Sequence, residues 1–283
     1  MRCPVVSVNM CVWNPDPRFF REAVQSVLCQ TFGDWELVIV EDPSDRAGRT
    51  MITDVLSDER IRYFCNTERT GLVAQRNLAL RESRAPWVAV LDADDIATPE
   101  RLRIQMQHLA AQSDISVLGS WIEVVDASGR PVGMRRYPVA HKQIERAMRR
   151  YNPIAQPAVV FNRALALECG GYQGEPYVED YDLWCRMLHR GARFANIQDL
   201  LTRYRVHGAA SKQSHLRHVL RHTIAIKQRN FAGEFAVRDR LRLTAERAML
   251  LLPPRWVYLA FRLITLRRLS RSRGKCCRTA SPK

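Results

Sequence analysis

Trp87-Val88-Ala89-Val90-Leu91-Asp92-Ala93-Asp94-Asp95 is the stretch on which the reading of this chain turns. Its apolar half has the length of a buried strand, and it runs straight into three carboxylates. Like-charged carboxylates raise one another's pKa and resist ionisation, so such a strand end is costly unless a cation neutralises it. Hard oxygen ligands of this kind suit magnesium or manganese, and acidic side chains repel a phosphate unless a metal sits between them. The segment therefore reads as a metal-bridged site for a phosphorylated ligand. It lies at the carboxyl end of a strand, where open α/β sheets bind their ligands. The plainer reading is a capped strand end with solvated aspartates.

On either side of this stretch, strands and helices alternate. Residues 5–10 are β-branched and apolar, and residues 18–30 place Phe19 or Phe20, Ala23, Val27 and Leu28 at helical spacing. Residues 35–42 form a second strand that also ends in acid, at Glu41-Asp42. Helices are expected over about 48–56 and 71–84, with a strand at 60–65 between them. Thr98-Pro99-Glu100 is expected to open another helix, with Thr98 as its cap and proline at the first helical position. This rhythm argues for a mainly parallel, helix-covered sheet, which puts both acidic strand ends on one edge. After Ser113 the pattern changes. Residues 115–125 and 131–137 flank Asp126-Ala127-Ser128-Gly129, a hairpin turn. A short helix near 141–150, a strand at 158–161, a turn at Gly170-Gly171-Tyr172, a helix at 180–189 and a strand at 200–206 follow.

A third acidic cluster is Val178-Glu179-Asp180-Tyr181-Asp182-Leu183-Trp184. On a helix, Leu183 with Met187 and Trp184 with Leu188 face the core. Asp180, one turn before Trp184, is then free to point out of the packed layer. The helix dipole stabilises its ionised form, leaving a proton acceptor whose low pKa limits its strength as a base. Simple capping of the helix is the other role open to Asp180, and Trp184 reads as core.

The chain is 283 residues long and 46% hydrophobic, enough for one α/β domain and an appendage. No stretch is long and apolar enough to span a bilayer, and the N-terminal residues read as a strand rather than a secretory signal. Eight cysteines (3, 11, 29, 65, 169, 185, 276 and 277) show no CxxC spacing, so reduced structural thiols are expected rather than a zinc or redox motif. The net charge is +15, but residues 238–283 hold 13 Lys/Arg against Asp239 and Glu246, leaving only +4 for the first 237 residues. Basicity therefore belongs to the tail, and nucleic acid is not an expected partner of the body.

VSVNMCVWN, WELVIVEDPSD, GLVAQRNLAL, WVAVLDADDIATPERL and VEDYDLWCRM occur in the order and spacing of family 2 glycosyltransferases, and the chain resembles that family over roughly residues 5–211. The resemblance implies a GT-A fold: a Rossmann-like, nucleotide-binding mixed sheet flanked by helices. It implies an inverting, non-processive enzyme that takes a nucleotide-sugar donor, with UDP-sugar favoured. The acceptor would be a hydroxyl of a glycan or lipid-linked glycan. It also implies roles. Cys11, Trp13 and Asp42 would hold the nucleotide, Asp42 by accepting a uracil N3–H, and Arg76 would lie near the base or diphosphate. Asp94 and Asp95 would match the DxD element, Asp95 ligating Mn2+ or Mg2+ directly and Asp94 nearer the ribose or sugar. Asp180 would be the catalytic base, with Glu179 positioning the acceptor.

Departures set limits. Glu41 stands where Asp is common, Pro43 replaces a usual glycine, and the QxxRW element of processive synthases is absent. Tyr204-Arg205-Val206-His207 stands instead, and His207 is either a metal or diphosphate contact or a structural residue of a strand-end loop. A sugar-nucleotide nucleotidyltransferase is disfavoured because residues 11–17 hold neither glycine nor lysine. A non-enzymatic membrane- or nucleic-acid-binding module on a vestigial fold is the remaining alternative, and the intact acidic residues speak against it. The expected division is a catalytic domain over 1–232 and a helical, basic appendage over 233–283. Residues 255–269 read as an apolar helix edged by arginine, followed by more arginine and lysine. That suits docking on an anionic membrane, at the cytoplasmic face of the cell membrane; packing on the domain is the alternative.

Overall fold

In the computed structural model, which describes residues 3–207 and 210–251, the first half of the chain alternates as expected. It runs β1 (Val6–Val12), α1 (Pro17–Leu28), β2 (Trp35–Glu41), a short α2 (Gly48–Met51), β3 (Ile61–Cys65), α3 (Leu72–Glu82) and β4 (Trp87–Val90). Next come β5 (Ile96–Ala97), α4 (Arg101–Ala111), β6 (Ile115–Val125), β7 (Pro131–Arg135), α5 (His141–Met148), β8 (Val160–Asn162), α6 (Arg163–Glu168) and α7 (Glu179–His189). A long β9 (Arg193–Arg205) leads to α8 (Ala210–Phe231) and α9 (Val237–Leu251).

The strands form one sheet in the order β3-β2-β1-β4-β8-β6-β9-β5, with β7 added to β6. β1 pairs parallel with β2 and with β4, so the strand order reverses beside β1, the position at which such sheets open a crevice. Asn9 stands opposite Val90, which brings Cys11 and Asp92, two residues further on, to the carboxyl edge together. β8 is antiparallel to both β4 and β6, and β9 is parallel to β6. β9 therefore runs in the same direction as β4. Its last residues reach the edge that carries the acidic strand ends, which is why distant segments meet there.

Alternation along β4 feeds two cores. Ala89 and Leu91 pack with Val8, Met10, Leu37, Ile39 and Phe20 on one face; Val88 and Val90 pack with Leu80, Phe161, Trp184 and Phe194 on the other. Trp184 is fully buried, as its spacing suggested. α1 starts where Asp16 accepts hydrogen bonds from the backbone N–H of Arg18 (3.0 Å) and Phe19 (3.1 Å), with Pro17 following. Arg101, fully buried, donates to the carbonyls of Val90 and Pro157, both at 2.8 Å, and so ties the end of β4 to the short 3-10 helix (Gln156–Ala158) before β8.

Several expectations are corrected. The helix expected from Thr98 begins at Arg101, because β5 pairs antiparallel with β9 and the Thr98 N–H donates to the Leu201 carbonyl (3.0 Å). Thr98 thus extends a strand contact instead of capping a helix. The helix expected over 48–56 ends at Met51 and gives way to turns. The last strand begins at Arg193, well before the expected residue 200. The Asp126 turn is confirmed: β6 and β7 pair across it, and Gly129 adopts φ +82°. α9 packs on α8 through Leu243, Leu220 and Ile224, with Lys227 bound to Glu246 at 2.7 Å. None of the six described cysteines is in a disulfide. The helix expected over 255–269, with Trp256 and Phe261, and the cysteines at 276 and 277, lie outside the described residues.

Candidate active site

Arg76 is the node of the carboxyl edge. It is buried on α3, 3.4 Å from the Asp92 carboxylate at the end of β4 and 3.1 Å from Glu179 at the start of α7. Its guanidinium also lies over the Tyr172 ring, 5.6 Å from the centroid. Burial alone disfavours its charge, yet Glu179 and Asp92 outweigh that and hold it firmly protonated. Asn9, Cys11, Arg76, Val90, Asp92 and Tyr172 line a small cavity at the strand-order reversal. Burial pushes the Cys11 thiol up to about 12, so it serves there as a small neutral group.

The end of β9 closes the acidic loop. The Arg205 backbone N–H donates to Asp95 Oδ1 (2.8 Å), and its guanidinium donates to the Asp94 carbonyl (2.9 Å) and to Glu22. Asp95 is 0% exposed, whereas the Asp94 side chain is 42% exposed and stands 2.7 Å from His207 Nε2. The His207 ring packs on Phe19, with centroids 4.9 Å apart. Asp94 and His207 together offer a carboxylate oxygen and an imidazole nitrogen at an open sheet edge. Such a carboxylate–imidazole pair would hold a divalent ion, manganese in preference to magnesium, whose shell is normally all oxygen.

Asp42 is turned inward. One carboxylate oxygen accepts from Asn66 (2.8 Å) and Thr70 (2.9 Å), and the other accepts from the Gly71 N–H (2.7 Å). Burial works against its ionisation, but the bonds from Asn66, Gly71 and Thr70 prevail and its pKa is lowered. It thereby fixes the turn into α3, where Gly71 takes φ +85°. Glu41, the departure from the common Asp, accepts from Tyr63 (2.9 Å) and from the Gly48 N–H, holding the start of α2. Trp13 is half-exposed, with the Arg69 guanidinium 3.9 Å from its ring centroid.

Asp180 is nearly buried, its two oxygens accepting from the Tyr181 N–H and the Asn152 amide, each at 2.7 Å. Burial first, and the Glu179 carboxylate second, push it up to about 7, against the opposing pull of Arg76. The low pKa expected at a helix start is therefore overturned, because desolvation exceeds the dipole's help. Asp182 points elsewhere, to Arg186 (2.8 Å) and Arg229.

The model of glycosyl transferase family 2 matches residues 7–169, more than half of the chain. This chain belongs to that family. O-antigen biosynthesis glycosyltransferase WbnJ of Escherichia coli is 28% identical over 216 residues, covering 75% of this chain and 84% of the relative. An Escherichia coli UDP-Gal:alpha-D-GlcNAc-diphosphoundecaprenol beta-1,3-galactosyltransferase is 27% identical over 212 residues, 74% of this chain and 77% of that enzyme. Among solved structures, Staphylococcus aureus TarS 1-349 with UDP-GlcNAc has a TM-score of 0.64 at 17% identity, covering 85% of this chain and 70% of TarS. The mannosyltransferase PcManGT of Pyrobaculum calidifontis, with GDP-Man and Mn2+, has a TM-score of 0.63 at 16% identity, covering 90% and 72%. The mixed sheet with flanking helices is the GT-A fold.

In this glycosyltransferase the structure brings Cys11, Arg76, Asp92 and Glu179 into one group, and Asp94 and His207 into another joined to it through the Asp92–Asp95 loop. Asp42 and Trp13 border the first group at the ends of β2 and β1. The sequence reading missed Asn152, Tyr172 and Arg205. Asn152 carries no local signal. Arg76 was expected at the site, and its pairing was also legible: on a helix it shares the inward face of Ala79 and Leu80, and a buried cation there requires a carboxylate partner.

Proposed function

We propose that this glycosyltransferase moves a sugar from a nucleotide-diphosphate donor to an acceptor hydroxyl of a cell-surface or lipid-linked glycan, by single displacement with inversion and with Mn2+ or Mg2+. One observation carries the reading: the Arg76 guanidinium spans Asp92 and Glu179, so the acidic strand end and the neighbour of Asp180 share one edge. The named donors of the relatives, UDP-Gal and UDP-GlcNAc, support a UDP-sugar. The Mn2+ of PcManGT supports a divalent ion.

Asp94 and His207 are the residues assigned to the ion, and Asp95, turned to the Arg205 backbone, to positioning them. When bound, the ion supplies charge neutralisation for the departing diphosphate. Trp13 with Arg69 flanks the base, while Asp42 orders the adjoining turn. Asp180 takes the proton of the acceptor hydroxyl as that oxygen forms its bond to the anomeric carbon and the bond to the diphosphate breaks. Opposite-face attack inverts the centre and needs no protein nucleophile, unlike a retaining glycosidase with its two carboxyls. Glu179 sets the proton affinity of Asp180 and is held by Arg76.

The basic segment is assigned to an anionic membrane surface, where a lipid-linked acceptor resides. α9 exposes Val237 and Leu241 beside Arg238, Arg240 and Arg242, and no described helix is long and apolar enough to cross a membrane. The deciding test of the catalytic reading is calorimetric titration of UDP, GDP, TDP and CDP with and without manganese. We expect manganese-dependent binding of one nucleotide. It should weaken more than tenfold in Asp94→Asn and less than threefold in Asp95→Asn, whose amide oxygen still accepts the Arg205 N–H. Absence of nucleotide binding by folded protein sinks the proposal.

A further inference from the structure

Away from the carboxyl-edge site, Glu175, His218 and His222 converge. Among the described residues they are the group of three metal-ligating side chains whose donor atoms all lie within 4.8 Å of one another. His218 and His222 are one turn apart on α8, so both rings leave the same face of the helix. Their centroids are 4.3 Å apart. Glu175, in the segment between α6 and α7, reaches across to within 3.6 Å of His218 Nε2. Two histidines at i and i+4 with a carboxylate from another segment form a donor set that zinc favours, three protein ligands with a fourth position open to water. Donors about 2.1 Å from a common ion at tetrahedral angles stand roughly 3.4 Å apart, so these partly exposed side chains need to close by no more than about 1.4 Å.

We propose that Glu175, His218 and His222 bind a transition-metal ion of the zinc class. The site is separate from the residues assigned to the donor diphosphate, and its chemistry differs. Two imidazole nitrogens with one carboxylate favour zinc over magnesium, which prefers an all-oxygen shell. Glu175 lies five residues before Asp180, and α8 also grips α7 through Arg229 and Asp182. An ion here staples α8 to the segment that leads into the helix carrying the base.

The test is calorimetric titration of untagged, full-length protein with Zn2+ in millimolar Mg2+, paired with Co2+ titration followed by visible absorption. We expect one tightly held zinc equivalent at this site and the intense visible band of four-coordinate cobalt. The double variant His218→Ala, His222→Ala should weaken zinc at least 100-fold, and Glu175→Gln at least tenfold. Asp94→Ala, which removes the carboxylate of the other candidate pair, should leave this equivalent in place. Glu175 is exposed, so its substitution leaves the fold intact, which circular dichroism verifies. Zinc affinity and cobalt band unchanged in the double variant, or no zinc binding by the wild type at 100-fold excess metal, overturn the proposal.

Discussion

Asp180 sits in surroundings that pull its proton affinity in opposite directions. Burial and the adjacent Glu179 raise it, while Arg76, the Tyr181 N–H and Asn152 lower it, and the balance falls at about 7. A group poised near neutrality is a far better base than a solvent-exposed aspartate. With the ionised form of Asp180 as the proposed base, kcat should climb as pH rises towards 7 and level off above it. Glu179→Gln removes a negative charge that disfavours ionisation of Asp180, so the rising limb should move to lower pH by about one pH unit. Asp180→Asn should cut kcat by about 10²–10⁴ while leaving donor affinity unchanged. Rate profiles of the three proteins decide the matter, since a limb that stays put in Glu179→Gln assigns the titration to another group.

At the scale of elements, the pairing of β6 with β9 delivers Arg205 and His207 to the site, and Gly119 permits that pairing. A Cβ at residue 119 would stand 2.1 Å from Asn196 Oδ1. Asn196 cannot swing away without cost, because its amide donates to the carbonyls of Pro138 (2.6 Å) and Pro153 (3.2 Å) in the interior. Gly119→Ala should therefore destabilise the protein by about 1–3 kcal/mol. Thermal unfolding should show a midpoint several degrees lower; an unchanged midpoint would mean that Asn196 is not an anchor. Such dependencies mark the limit of what the sequence discloses. The parallel strands, their acidic ends and the α7 cluster were legible because apolar runs and neighbouring charges are local signals. β5 was not, since two residues carry no periodicity and only their antiparallel partner in β9 makes them a strand. The same partner took Thr98 from its expected cap. Adjacent aspartates look alike in sequence, so the different surroundings of Asp94 and Asp95 were not legible there; what separates them is the Arg205 backbone, far along the chain.

The whole molecule divides its charge. The body that carries the acidic edge has a net charge of +4, and residues 238–283 carry +11. A uniformly basic protein would draw anions everywhere; this separation leaves the candidate donor site acidic and fits the proposal that the basic segment meets a second, extended anionic partner. Two such partners differ in what they ask of the apolar residues. Nucleic acid responds to cationic charge and its binding falls steeply with salt. A membrane additionally takes up apolar side chains, here Val237 and Leu241 on α9 and Trp256 and Phe261 further along. Full-length protein should therefore co-sediment with vesicles containing phosphatidylglycerol and not with neutral phosphatidylcholine vesicles. Replacing Trp256 and Phe261 by serine leaves the net charge unchanged, so any loss reports apolar insertion alone. Each aromatic ring contributes on the order of 1–2 kcal/mol of burial, and the double variant should bind at least tenfold more weakly. If it binds the anionic vesicles as tightly as the wild type, charge alone holds the protein there and the apolar docking fails.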